Sequence, residues 1–171
     1  MLLPEPDQTI LCRRDEIISA LKRFVPAGAV IDDDTTMAAY DTDGLSAYRN
    51  QPLVVVLPET TQQVAAVMKW CRENDVKIVP RGAGTSLSGG AIPLADGVLL
   101  GLGKFNQILD IDFSNRTVTA QPGVTNLGIT QAVQDEGFYY APDPSSQIAC
   151  SIGGNIAENS GGVHCLKYGL T

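Results

Sequence analysis

A glycine-rich stretch that follows an apolar segment carries the residues best suited to binding chemistry in this chain of 171 residues. The apolar segment is 76–80 (VKIVP), and the stretch is 81–90 (RGAGTSLSGG). Because glycine reaches positive φ angles, several backbone N–H groups can point into one concavity, and such a nest binds anions. Arg81 adds a permanent positive charge at the rim. The stretch therefore predicts a binding site for phosphate or pyrophosphate.

This stretch fits neither of two common phosphate-binding patterns. The dinucleotide fingerprint G-x-G-x-x-G opens a helix after a first strand, whereas Gly82 and Gly84 follow a second predicted strand, and Pro93 and Gly97 prevent a long helix after them. A Walker A motif would need Gly-Lys-Ser/Thr. A plain structural loop stays open for the stretch alone, but a second glycine-rich stretch, 151–162 (SIGGNIAENSGG), favours one extended ligand held at two points.

Composition and charge exclude several classes of function. The net charge is −7, from 12 basic and 19 acidic residues, which argues against a protein that binds nucleic acid. No apolar run approaches the roughly 20 residues that span a bilayer, and the first residues lack a signal-peptide pattern. The 4 cysteines have no metal spacing and predict reduced thiols in a cytoplasmic protein. Asp32, Asp33 and Asp34 predict a polar turn or a helix cap rather than a metal site.

Apolar periodicity predicts the elements that position the first stretch. The pattern predicts a β-α-β unit, made of a buried strand over 53–57, a helix capped by Thr60 or Thr61, and a strand over 76–80. The residues of this helix that are predicted to face inward are Val64, Val67, Met68 and Cys71. The glycine-rich stretch then lies at the carboxyl end of a strand, where open α/β sheets bind ligands. Further predicted elements are a helix over 13–25, a strand over 97–100, a hairpin of 108–113 and 116–121, a helix from Thr125 to near Gly137, and a non-periodic stretch over 141–162.

Several motifs resemble one known family. Residues 80–90 resemble the pyrophosphate loop of the FAD-linked oxidases of the vanillyl-alcohol oxidase and p-cresol methylhydroxylase superfamily. The second FAD-binding stretch of that superfamily is similar to three segments of this chain: 143–146 (DPSS), 150–162 (CSIGGNIAENSGG) and 167–169 (KYG). Within the superfamily, the chain is most similar to the N-terminal part of the flavoprotein subunits of bacterial glycolate oxidases, with D-lactate and D-2-hydroxyglutarate dehydrogenases next. Residues 41–48 (DTDGLSAY) fit the same subunits.

The resemblance implies a fold and a division of the chain. The fold is an α+β (α/β) FAD-binding domain of the p-cresol methylhydroxylase type, with a small β-α-β subdomain and the beginning of a second, mixed-sheet subdomain. We expect an N-terminal helical segment over 1–40. We expect 41–171 to be the N-terminal part of a truncated FAD-binding domain.

The resemblance also implies non-covalently bound FAD. Thr85 stands where members with covalent flavin carry a histidine, and Cys150 is not clearly in the register of an attachment cysteine. No metal ligands are expected. The predicted cofactor-binding residues are Arg81, Gly82, Ala83, Gly84, Thr85, Ser86, Gly89, Gly90, Pro122, Gly123, Asp143, Ser145, Ser146, Cys150, Ser151, Gly153, Gly154, Asn155 and Ala157.

The implied function is the FAD-binding portion of a flavin-dependent 2-hydroxy-acid oxidoreductase of the glycolate or D-lactate type. Catalytic residues are expected in a missing C-terminal part, so the isolated chain is expected to be inactive. Expected partners are the 2-hydroxy acid, a second flavin-binding subunit and an iron–sulfur subunit, with a cytoplasmic location that is peripheral to the inner membrane through those subunits. Two alternatives stay open: a non-catalytic assembly module, because a cut sheet exposes an edge strand, and a nucleotide-binding regulator without redox chemistry.

Overall fold

The computed structural model describes residues 3–171, which divide into two compact units. The first unit ends at Lys104, and the second extends from Phe105 to Thr171. The division predicted at residue 40 stays a prediction. Helices and a mixed sheet confirm the predicted α+β class.

The first unit consists of a four-stranded sheet and four α-helices among the residues described. In chain order, its elements are α1 (Gln8–Cys12), α2 (Arg14–Leu21), β1 (Val30–Ile31), α3 (Asp34–Met37) continued by a 3₁₀ turn (Ala38–Tyr40), β2 (Val54–Val56), α4 (Thr61–Glu73), β3 (Lys77–Arg81) and β4 (Gly97–Gly101). The predicted polar turn before α3 is a helix cap, because the Asp33 carboxylate accepts the N–H of Thr36 at 2.8 Å.

The sheet of the first unit has the order β1-β2-β4-β3. Strand β4 pairs in parallel with both β2 and β3, so that Leu99 lies opposite Val55 on one side and Val79 on the other. Strand β1 is antiparallel to β2. The β2–α4–β3 connection therefore reaches over a strand that comes later in the sequence. Val55 and Leu99 are fully buried, as expected for parallel strands that are covered on both faces.

Helix α4 connects β2 to β3. It begins after Thr60, whose side chain accepts the N–H of Gln63, and its residues Val67 and Cys71 are fully buried. The prediction that Met68 faces inward is wrong, because its side chain is 51% exposed. The buried face nevertheless follows the helical period.

The second unit contains a two-stranded antiparallel sheet and short helices. Its elements are β5 (Ile108–Asp112), β6 (Thr117–Ala120), α5 (Asn126–Val133) followed by a 3₁₀ turn (Gln134–Glu136), α6 (Ile152–Glu158) and α7 (Cys165–Tyr168). The hairpin was predicted, and so was the cap of α5, where the Thr125 side chain accepts the N–H of Gly128 at 3.1 Å. The prediction that 141–162 lacks regular structure is wrong, because α6 lies within it.

Candidate functional site

The predicted loop begins where β3 ends, at Arg81. Two of its glycines have left-handed backbones, with φ of 71° at Gly84 and 77° at Gly89. A Cβ atom on Gly84 would also collide with the guanidinium group of Arg81. Because a side chain is strained at such φ values, this backbone path requires glycine at both positions.

The loop leaves a run of backbone donors unpaired. Between described residues, no hydrogen bond has the N–H of any residue from Gly82 to Leu87 as its donor. The next N–H, that of Ser88, donates to the Ser86 hydroxyl at 3.2 Å. Since backbone N–H groups require a partner, consecutive unpaired donors in a loop with left-handed glycines suit a multiply charged anion.

Arg81 contributes a positive charge that the chain itself leaves available. Its guanidinium donates to the carbonyl of Tyr40 at 3.2 Å and lies 5.9 Å from the centre of the Tyr40 ring. Burial lowers the pKa of Arg81, while the charges of Asp43 and Asp41 act in the opposite direction. Arginine stays protonated in proteins, so the side chain presents a fixed charge beside the unpaired N–H groups.

A segment from an earlier part of the chain lies against the loop. We call residues 41–48 the flanking segment. The Asp43 carboxylate, in a residue that is only 6% exposed, accepts the N–H of Leu45 at 2.8 Å and that of Ala91 at 3.3 Å. A Cβ atom on Gly44 would lie 2.6 Å from the carbonyl oxygen of Ser86. The sequence linked this segment to a family but gave no sign that it contacts the loop.

The predicted residues of the second unit pack tightly against one another. The N–H of Gly153 donates to the carbonyl of Pro122 at 2.9 Å, and that of Gly123 donates to the carbonyl of Phe105 at 2.7 Å. The N–H of Gly154 donates to the Ser151 hydroxyl at 3.4 Å. The structure thus brings Pro122, Ser151, Gly153 and Gly154 together, but these two glycine N–H groups of α6 are already used inside the protein.

Asp143 is fixed in place by two neighbours. Its Oδ2 lies 2.8 Å from Nδ1 of His164, and its N–H donates to the carbonyl of Gly161 at 3.2 Å. Its buried Oδ1 has no hydrogen-bond partner among the described residues, and the same holds for Nδ2 of Asn155. Cys150 is 3% exposed. Buried polar atoms without hydrogen-bond partners are unusual in the core of a native protein, so these two atoms are suited to contact a ligand.

The second unit also has an open cavity of about 690 Å³. Sequence reasoning missed it, because its walls combine residues of both hairpin strands with aromatic residues that lie far apart in the sequence. Of the predicted cofactor-binding residues, only Pro122 and Gly153 line it. The remaining walls are mainly apolar and include Phe113, Phe138 and Tyr140.

The sequence of this chain matches one protein family and is similar to proteins that are about three times as long. The family described as FAD binding domain matches residues 52–171. The chain is 54% identical over 169 residues to glycolate oxidase subunit GlcD of Escherichia coli strain K12, covering 99% of this chain and 33% of that protein. It is 37% identical over 157 residues to D-lactate dehydrogenase of Anaerostipes hadrus, covering 91% and 33%. The chain thus spans about one third of the length of these relatives.

Solved structures show the same fold at low sequence identity. Alkyldihydroxyacetonephosphate synthase matches with a TM-score of 0.82 at 22% identity, over 99% of this chain and 33% of that one. p-Cresol methylhydroxylase with bound substrate matches with a TM-score of 0.73 at 22% identity, over 94% and 32%.

The chain belongs to the FAD binding domain family. This membership confirms the resemblance, the p-cresol methylhydroxylase type of fold and FAD as the cofactor of the family. Over residues 3–171, no helix has both the length and the apolar character needed to cross a membrane.

Proposed function

We propose that this member of the FAD binding domain family binds FAD non-covalently and holds the FAD pyrophosphate in the loop from Arg81 to Gly90. The observation that carries the proposal is the run of unpaired N–H groups from Gly82 to Leu87. Arg81 supports it as a cation without a carboxylate partner in the described part of the chain. Hydrogen bonds that involve a charged group are stronger than neutral ones, so the two features reinforce each other.

The side chains of the loop fit a reversible complex. Thr85 carries a hydroxyl group, which is a poor nucleophile without an adjacent base, and no side-chain hydrogen bond joins it to a base among the described residues. When bound, FAD supplies the redox chemistry, and the protein orients it and tunes its surroundings. The role of the loop is to fix the phosphates, which it does with backbone atoms that need no side-chain ordering.

Residues of the second unit are proposed to contribute to FAD binding as the resemblance implies. Those with the clearest support are Asp143 and Asn155, which each carry a buried polar atom without a partner. Ser145 and Ser146 support the proposal through backbone N–H groups that donate to no other described residue. The other predicted positions keep the status of a prediction.

For the whole protein, we propose a flavin-dependent oxidoreductase that acts on a 2-hydroxy acid of the glycolate or D-lactate type. The support is the names of the relatives, which include a glycolate oxidase subunit and a D-lactate dehydrogenase. Because this chain spans about one third of their length, we place the catalytic residues outside it and expect the isolated chain to be inactive. A second flavin-binding subunit, an iron–sulfur subunit and a cytoplasmic location at the inner membrane remain proposals of the same kind.

Flavin retention tests the proposal directly. Purified chain is mixed with FAD and desalted, and the visible flavin absorbance that stays with the protein is measured, with fluorescence titration for the dissociation constant. We expect Arg81→Met to weaken FAD binding about 10- to 100-fold, because a hydrogen bond to a charged group contributes about 1.5–3 kcal/mol. The control is Arg72→Met, at an exposed position of α4. Acid precipitation should release all of the flavin into the supernatant.

Wild-type protein that retains no flavin would contradict the proposal, and flavin that precipitates with the protein would contradict its non-covalent part. Protein that binds ADP but not FAD would favour the nucleotide-binding regulator instead.

The assembly module remains a second candidate because one observation favours it. In the described residues, β5 and β6 pair only with each other, and they border the apolar cavity of the second unit. Unpaired strand edges beside apolar surface are sites for adding another strand. Size-exclusion chromatography with light scattering tests this: a monomer at all concentrations would contradict self-assembly.

A further inference from the structure

The flanking segment lies outside the matched family region, which begins at residue 52. It nevertheless contacts the loop and the residue that follows it, through Gly44 and Asp43. Gly44 lies against the carbonyl groups of Thr85 and Ser86, where a Cβ atom would come within 2.9 and 2.6 Å of their oxygens. The carboxylate of Asp43 reaches Ala91, just past the last glycine of the loop.

We propose that Asp43 is a positioning residue for the pyrophosphate of FAD. It holds the glycine-rich loop in the conformation that binds the pyrophosphate before FAD is bound. The inference rests on the proposed function. It is carried by the hydrogen bond from the Ala91 N–H to Asp43 Oδ2, which joins residues 48 positions apart in the chain. It is also carried by the near-complete burial of Asp43.

The physical reason is the flexibility of glycine. A loop that is rich in glycine loses more conformational freedom on ordering than any other kind, and ordering that occurs only on binding reduces affinity. A buried carboxylate that accepts two backbone N–H groups is anchored at Leu45 and ties down the distal end of the loop at Ala91. The proximal end is already fixed, because Arg81 is the last residue of β3.

The sign of the expected effect separates positioning from simple electrostatics. A carboxylate close to a pyrophosphate repels it, so Coulomb's law alone predicts that neutralising Asp43 strengthens FAD binding. Positioning predicts the reverse, because Asp43→Asn weakens the hydrogen bond that holds the loop. The two explanations therefore differ in direction and not only in size.

The experiment measures dissociation constants for FAD and for riboflavin, which lacks phosphates, on the 171-residue chain. The variants are Asp43→Asn and Asp43→Ala, and the matched control is Asp41→Asn, whose carboxylate pairs with Arg49 at 3.1 Å. We expect FAD affinity to fall about tenfold in Asp43→Asn and further in Asp43→Ala, since a charge-assisted hydrogen bond is lost. Riboflavin affinity should stay unchanged, and FAD affinity should not fall in Asp41→Asn, because the Asp41 carboxylate accepts no backbone N–H group of the loop.

Hydrogen exchange of the FAD-free protein gives a readout that does not depend on the ligand. In Asp43→Asn, the amide of Ala91 should exchange faster, while the amides of β4 keep their wild-type protection. Faster exchange throughout β4 would indicate general destabilisation and would overturn the positioning role. If Asp43→Ala does not fold, Asp43→Asn carries the test alone.

The failures of the inference and of the proposed function can be told apart. Wild-type chain that binds FAD, with equal or tighter binding in Asp43→Asn, overturns only the inference. Wild-type chain that binds no FAD overturns the proposed function and the ligand role of Asp43 together. An equal loss of FAD and riboflavin affinity also overturns the inference, because the effect would then not act through the phosphates.

Discussion

Gly44 is the position where a single methyl group should perturb the proposed site most selectively. Its φ angle is not in the left-handed region, so alanine fits the local backbone. The added Cβ atom would, however, lie 2.6 Å from the carbonyl oxygen of Ser86 and 2.9 Å from that of Thr85. Ordinary carbon–oxygen contacts are about 3.3 Å or longer, so one of the two backbones must move by about 0.7 Å.

Both atoms that the methyl group would meet belong to the main chain, so no side-chain rotation can relieve the contact. Overpacking of this kind costs about 1–3 kcal/mol of unfolding free energy. The displaced residues lie in the loop that we propose binds pyrophosphate, so Gly44→Ala should also lower FAD affinity about tenfold, since anion nests depend on the direction of their N–H groups.

Gly103→Ala provides the matched control. A Cβ atom there meets nothing within 4 Å, and its φ is also outside the left-handed region. This substitution should be neutral or stabilise the fold by about 0.4–1 kcal/mol, because alanine restricts the unfolded chain. Urea denaturation and FAD titration of both variants check the pair. Equal stability and equal affinity of the two variants would refute the reasoning that the flanking segment packs against the loop.

Four further substitutions, one of them a control, probe the fold of the two units. Leu99→Ala, at a fully buried position of β4, should lower the free energy of unfolding by about 2–5 kcal/mol. The control Leu109→Ala, at a side chain that is 58% exposed, should stay within about 0.5 kcal/mol of wild type. Urea denaturation measures both. Ser151→Ala should cost about 1 kcal/mol, measured by urea denaturation, because α6 loses its cap. Burial raises the pKa of Cys71 from 9.0 to about 11. Because the thiol of the unfolded chain ionises at lower pH, the free energy of unfolding should fall as the pH rises through that range. Cys71→Ala should lack this part of the decline, whereas an unchanged pH profile would contradict the burial of the thiol.

The local parts of the fold could be predicted because they depend on neighbouring residues. The continuous apolar run at 53–57 predicted a strand covered on both faces, as the structure shows. The cap of the next helix was predicted at Thr60 or Thr61, and it is Thr60. The position of β4 between β2 and β3 could not be predicted, because it depends on pairing between residues far apart in the sequence. Helix α6 was missed for a related reason: glycine disfavours helices, and the carbonyl groups of Val124 and Pro122 supply the partners for its first N–H groups.

The candidate site divides in the same way. The composition of 81–90 predicted an anion-binding loop, since the required property is a backbone that is bare of side chains, but a plain structural loop stayed open until the second glycine-rich stretch was considered with it. Asp43 was not among the predicted site residues, although it lies in a segment that resembles the family, because its contact with Ala91 is visible only in three dimensions. For Asp32, Asp33 and Asp34, in contrast, the sequence predicted a polar turn or a helix cap, and Asp33 is the residue that caps α3 by accepting the N–H of Thr36.

The two glycine-rich stretches show why composition alone cannot identify a ligand site. Glycine permits close approach of another group in both cases, but the approaching group differs. In 81–90 the N–H groups from Gly82 to Leu87 have no partner among the described residues, so the space beside them suits a ligand. In α6 the approaching group is the protein itself, because a Cβ atom on Gly153 would lie 2.7 Å from that of Pro122 and its N–H donates to the Pro122 carbonyl. Backbone donors that remain unpaired, more than the number of glycines, therefore indicate where an anion can bind.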